Sequence, residues 1–256
     1  MFEIFICIIA GIGAGLGTGF AGMSAAVVIS PMLITFLGMD AYTAIGIALA
    51  SDVLASAVSS YTYARNKNID IKNGLTMMVP VLICTLVGSL VSSLVSTSSM
   101  GNLSLFTTAF LGLKFIISPV MTTKTQMEEK SAKTRFIQSV IAGIAIGIVC
   151  GFIGAGGGMM MLLIFTLVLG YELKTAVGTS VFIMTFTAFT GAVSHFVIGD
   201  LPNWTYLIVC CLSTLIFARI AAVLANKISA KVLNRSMGVL LTVMGFGMII
   251  FNYVFN

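Results

Sequence analysis

What this sequence has least of is charge: Asp, Glu, Lys and Arg together make up 8% of its 256 residues. A soluble domain carries about a quarter charged residues, so these few cannot coat a water-facing surface. A chain that is 59% hydrophobic, with mean hydropathy +1.12, suits a bilayer instead. Histidine occurs once, at His195, and the five cysteines (Cys7, Cys84, Cys150, Cys210, Cys211) all lie in apolar stretches. No pair of them has the spacing of a zinc knuckle or a redox motif, so no cofactor or metal centre is expected. The surplus of thirteen basic over eight acidic residues is what cytoplasmic loops of a membrane protein carry, and no nucleic-acid partner is implied. The N-terminus, MFEIFICIIAGIGAG, lacks a basic n-region and runs straight into more apolar sequence, which argues against a cleaved signal peptide.

Ten apolar segments remain: Phe2–Gly19, Met23–Gly38, Tyr42–Ala64, Leu75–Val95, Leu103–Met121, Ile137–Phe152, Gly158–Gly170, Thr175–Ile198, Trp204–Ala225 and Val232–Val254. Backbone groups in lipid must be satisfied internally, so each is read as helical. The one long polar stretch, TTKTQMEEKSAKTR (residues 122–135), divides residues 1–121 from 136–256 and reads as a cytoplasmic linker. Two segments are short. Met23–Gly38 would be about 24 Å long and Gly158–Gly170 about 20 Å, against a hydrocarbon core of about 30 Å. Each follows a glycine-rich break, GLGTGFAG or GFIGAGGG. Short, interrupted segments at matching places in two halves are a pointer to a transporter binding site.

The halves match under a shift of 132 residues, which lays Gly11 on Gly143, Gly15 on Gly147, Gly19 on Gly151, Gly22 on Gly154, Gly38 on Gly170 and Gly46 on Gly178. Loops carrying Arg65, Lys67 and Lys72, then Lys124 to Arg135, then Lys174, then Lys227, Lys231 and Arg235 fall on one side, cytoplasmic by the positive-inside rule, which puts both termini outside. Five elements per half is an odd number, so the two repeats are expected to be inverted. Whether the first two elements of each half cross fully or form a re-entrant hairpin stays open. The fold class is therefore an all-α polytopic membrane protein of two inverted repeats, each of five helical elements.

Gly154, Gly156, Gly157 and Gly158 stand where the short seventh segment begins, so helix-terminal N–H groups and a positive dipole end point into the protein, the makings of an anion site. Gly22 and Ser24 mark the equivalent break in the first half. The alternative is that glycines at four-residue spacing merely let helices approach, and Gly11, Gly15, Gly19, Gly143, Gly147 and Gly151 fit that reading. No Lys-Ser/Thr follows the glycines, so a nucleotide loop is unsupported.

Asp52, near the middle of the third segment, costs at least about 2.5 kcal/mol to insert, so it is read as a proton carrier or cation-coupling ligand, against a structural carboxyl bonded to neighbouring hydroxyls. His195 is a second coupling candidate, or a histidine simply hydrogen-bonded near the interface. Arg219 is placed either to grip an oxyanion or to snorkel to the interface. Thr179 and Ser180 supply hydroxyls to a cavity. The sixteen methionines lack accompanying His or Cys at ligand spacing and are read as packing.

The stretch GIVCGFIGAGGGMMMLLIFTLVLGYELKTAVGTS, with its weaker counterpart GAGLGTGFAGMSAAVVISPMLITFLGMDAYTAIGIA, resembles the TauE/SafE family of sulfite and organosulfonate exporters. The resemblance implies an inner-membrane transporter of small sulfur-containing or organic anions. It places Gly22, Gly154–Gly158, Ala176, Gly178, Thr179 and Ser180 along the substrate path and the family's second-half arginine at Arg219. Two departures stand out: the first motif is reduced to GMSAA, and Leu163 replaces a proline.

Together these observations point to a secondary-active, alternating-access transporter of a small anion such as sulfite, in which protons are one candidate for coupling. A passive anion channel and a soft-metal carrier are the alternatives. No enzyme is expected, since no nucleophile–base or metal-ligand set is present. Substrate, direction and oligomeric state are not written in the sequence.

Overall fold

The computed structural model describes residues 1–92, 109–110, 112–119, 123, 131–153, 158, 161–162, 164–198 and 202–255, and all regular structure among them is helical. In chain order the helices are α1 (Phe2–Ala21), α2 (Ala26–Leu37), α3 (Ala41–Arg65), α4 (Ile71–Ser92), α5 (Ala132–Ile153), α6 (Leu173–Ile198), α7 (Trp204–Lys227) and α8 (Ala230–Phe255). A π-helical turn, Ile164–Val168, lies ahead of α6, and residues 112–117 are also helical. α5 begins inside the stretch read as linker. Most other helices outrun their apolar segments by a few residues, because charged ends are tolerated at an interface.

Among the described residues, four helical stretches are long and apolar enough to cross a membrane: Phe2–Ala21, Thr43–Arg65, Leu173–Val197 and Trp204–Lys227. Ala26–Leu37, Ile71–Thr85 and Phe136–Ile148 are shorter and also apolar. The outward faces are greasy. On α7 the exposed side chains include Ile208, Leu212, Ile216, Ile220 and Leu224, four residues apart, while Cys210, Thr214, Ala218, Ala221 and Ala222 are buried. A helix with large aliphatics outside and small residues inside is built to face lipid with one side and a neighbouring helix with the other. The chain is a multi-pass membrane protein.

The small inward residues set the packing. α1 lies against α7, and α5 lies against α4. A Cβ on Gly15 would come within 2.6 Å of the Thr214 carbonyl oxygen, and one on Gly19 within 2.9 Å of the Ala222 nitrogen. In the second half, a Cβ on Gly143 would meet the Met77 carbonyl oxygen at 2.7 Å, and one on Gly147 the Val81 carbonyl oxygen at 2.7 Å. Both pairs run parallel, since partner numbers rise together. They also correspond under the 132-residue shift, which carries α1 onto α5 and α4 onto α7. These glycines at four-residue spacing are helix-approach positions.

The third large interface joins α3 to α6, two helices that the same shift superposes. Here the direction is antiparallel. A Cβ on Gly46 would lie 3.3 Å from Cβ of His195, and one on Gly178 would lie 2.9 Å from Cβ of Tyr63. Gly178 is the counterpart of Gly46, and His195 the counterpart of Tyr63, so one contact occurs twice. α1, α2 and α7 also pack against α3.

Candidate functional site

α1 stops at Ala21 because the backbone turns left-handed at Gly22 (φ 62°). The Gly22 N–H donates to Thr18 O at 2.9 Å and the Met23 N–H to Gly17 O at 3.2 Å, the paired bonds that close a helix C-terminus. Thr18 Oγ1 adds to the closure, lying 3.0 Å from Ala14 O and 2.8 Å from Met23 O. Four residues on, α2 begins. Ser24 Oγ accepts the Ala26 N–H at 3.3 Å and donates to Asp52 Oδ2 at 2.7 Å. Ser56, one turn along α3, donates to Asp52 Oδ1 at 3.0 Å. Asp52 is 1% exposed and has both carboxyl oxygens answered by hydroxyls, as a buried carboxyl requires.

Asp52 is the twelfth of the 25 residues of α3, so the contact with Ser24 puts the first break at that helix's midpoint. From there α2 folds back to Gly38, just before α3 starts. Gly158, of the second half, comes to the same place. A Cβ on Gly158 would run into Met184 Sδ, and Met184 is the residue that the 132-residue shift places on Asp52. That same Cβ would run into the Gly22 carbonyl oxygen, while one on Gly22 would run into Ser180 Oγ. Gly158 and Ser180 therefore both lie against the break at Gly22, and Ser24 ties that break to Asp52.

Ser180 and Thr179 are both fully buried. Ser180 Oγ donates to Val177 O at 2.8 Å. Thr179 Oγ1 donates to Thr175 O at 2.7 Å and accepts the Asp70 N–H at 3.0 Å, which turns it toward the loop before α4 rather than toward the breaks. That loop is tied across the halves elsewhere too: Tyr171 Oη donates to Asp70 Oδ2 at 3.0 Å, and Asn68 Nδ2 to Asn226 Oδ1 at 2.7 Å. Counterparts of Tyr171, Asp70 and Thr179 are Met39, Pro202 and Ile47, which cannot repeat these hydrogen bonds.

Two candidates stand apart from the cluster. Arg219 is exposed on the lipid-facing side of α7, between Ile216 and Ile220. His195 is half-buried against Gly46, eleven residues and therefore about 16 Å along α6 from Met184. Gly154, Gly156 and Gly157 lie outside the described residues. Ser56, Tyr63 and Met184 were not singled out from the sequence. Their signal was spacing, because Asp52, Ser56 and Tyr63 share a helix face.

A family model described as "Sulfite exporter TauE/SafE" matches residues 7–248, nearly the whole chain. The chain belongs to the TauE/SafE family. It is similar to two Bacillus subtilis (strain 168) relatives. One is named "Probable membrane transporter protein YunE", 26% identical over 94% of this chain and 95% of the relative. The other is named "Probable membrane transporter protein YdhB", 24% identical over 86% of this chain and 89% of the relative. TauE/SafE proteins are membrane transporters and not a class of enzyme, and the helical, lipid-facing architecture above is of that kind.

Proposed function

We propose that this TauE/SafE protein is a secondary-active, alternating-access transporter of a small anion, a sulfur oxyanion or organosulfonate such as sulfite. The observation that carries the reading is the break after α1 at Gly22, joined to Asp52 through Ser24 and met by Gly158 of the second half. Backbone turns away from helix at Gly22, the start of α2 sits against Asp52, and Gly158 lies against Gly22 and against Met184, the counterpart of Asp52. Interrupted helices meeting between two repeats are where transporters hold their substrate, and helix N-termini favour anions. The doubled Gly46–His195 and Gly178–Tyr63 contact, with α3 and α6 antiparallel, supports inverted repeats about an axis between those helices. Arg219, exposed on α7, is left out of this reading.

Asp52 is the coupling group. An ionised carboxylate beside Ser24 repels an anion bound at the same break, so a proton on Asp52 and the anion favour each other's binding. Affinity for a sulfonate, which stays ionised throughout, is expected to rise as pH falls, because protonation removes the repulsion. Thermal stabilisation of the purified protein by sulfite, sulfate, thiosulfate and sulfoacetate across pH measures this. Asp52→Asn is expected to bind the anion without pH dependence and to lose proton-driven flux in liposomes. A variant that keeps proton-driven flux would refute the coupling role.

A further inference from the structure

Hydroxyls inside helices of this protein mostly donate back to their own turn, as Ser51 does to Ile47 O at 2.9 Å and Thr62 to Val58 O at 2.8 Å. Ser59 is different. It is 0% exposed, and its Oγ has no hydrogen-bond partner. At 100° per residue, Asp52, Ser56, Ser59 and Tyr63 fall within an arc of about 60° on α3. One end of that arc is held to Ser24 through Asp52, and the other to Gly19, whose carbonyl oxygen accepts from Tyr63 Oη at 3.0 Å. Ser59 lies between, on the face turned to residues 19–24, the stretch containing the break at Gly22.

The other hydroxyls around that break are committed. Ser24 donates to Asp52, Thr18 to carbonyls of its own segment, Ser180 to Val177 O and Thr179 to Thr175 O. The second half shows that packing does not demand the polar stripe. Counterparts of Asp52, Ser56 and Ser59 in α6 are Met184, Ala188 and Gly191, three residues without a side-chain oxygen, and Met184 lies against Gly158. A buried hydroxyl left unbonded is costly unless a ligand completes it.

We propose that Ser59 donates a hydrogen bond to the transported oxyanion at the Gly22–Gly158 break and so helps set which anion is accepted. This rests on the anion-site reading above. A hydroxyl on this stripe suits an acceptor-only ligand such as a sulfite, sulfate or sulfonate oxygen.

The test is a titration of thermal stability in detergent with sulfite, sulfate, sulfoacetate and chloride, on wild type, Ser59→Ala, Ser59→Thr and Ser51→Ala. Ser59→Ala is expected to raise the half-saturating concentration of the preferred sulfur oxyanion by about tenfold or more. Ser59→Thr, which keeps the hydroxyl, and Ser51→Ala, whose hydroxyl is spent on its own helix, are expected to stay near wild type. If Ser59→Ala binds the oxyanion as wild type does, Ser59 is no ligand while the anion site stands. If wild type itself responds to none of the sulfur oxyanions, the anion reading fails and the inference falls with it. Should Ser59→Ala not fold, Ser59→Thr decides alone with Ser59→Cys: equal affinity in all three would overturn the proposal, since a thiol is a weak donor.

Discussion

A carboxyl at the midpoint of an apolar helix has to be answered, and Asp52 is answered by one hydroxyl from across the break and one from its own helix. Its isolation in the sequence was legible, because any acid in TAIGIALASDVLASAVSS stands out. Its partners were not, because serines in apolar helices are common and Ser24 is 28 residues away. Removing the longer-range partner should show. Ser24→Ala takes a hydrogen bond from a buried acidic group and is expected to cost about 1–3 kcal/mol, read as a lower melting temperature in detergent. Arg219→Ala provides the contrast. With the side chain on the lipid-facing surface, the expected change in stability is within about 0.5 kcal/mol, and anion affinity should not move. Sequence could raise Arg219 as an oxyanion ligand because arginine chemistry suits that task. The structure shows the side chain among Ile216 and Ile220, on the face of large aliphatics opposite the small residues Thr214, Ala218 and Ala222.

At the scale of elements, the glycines divide into two kinds that composition alone cannot separate. Gly15 and Gly147 are where helices touch backbone to backbone, and a methyl group there has nowhere to go. Gly15→Ala and Gly147→Ala are each expected to destabilise by about 1–3 kcal/mol through overpacking. Gly247 in α8 has no atom within 4 Å of the Cβ it lacks. There, Ala should be neutral or stabilising by up to about 1 kcal/mol, from helix propensity alone. Thermal melts of the three variants side by side check the distinction. The four-residue spacing of Gly11, Gly15 and Gly19 made their role readable in advance, and the shortness of the Met23–Gly38 segment did the same for α2. The π-helical turn at Ile164–Val168 was not readable, since nothing in LLIFTLVLG separates a wide turn from a regular one. Nor was the pairing of α1 with α7 and α5 with α4, because periodicity says which face is buried but not against what.

For the whole molecule, the directions of the packed helices agree with the charge pattern of the loops. α1 and α7 run the same way, and α3 opposes α6. Lys67, Lys174 and Lys227 should therefore lie on one side of the membrane and Asp40 and Asn203 on the other. Single cysteines at these five positions, placed in a background without the native thiols, are expected to divide by side when labelled with a membrane-impermeant maleimide in oriented vesicles. Labelling of Lys67 and Lys174 positions from opposite sides would overturn the inverted arrangement.

The contact between α3 and α6 carries one more consequence. Residue 46 meets the counterpart of 63, and residue 63 meets the counterpart of 46, which is how two identical chains associate isologously. A half-length ancestor pairing with its own copy would have had to place every side chain twice, so a carboxyl at position 52 would have faced a second carboxyl near the same axis. Covalent fusion removes that constraint. Once the halves are separate stretches of one chain, α3 is free to keep Asp52, Ser56 and Ser59, while α6 settles on Met184, Ala188 and Gly191. The asymmetry between Asp52 and Met184 is therefore one that no homodimer of either half alone could reproduce.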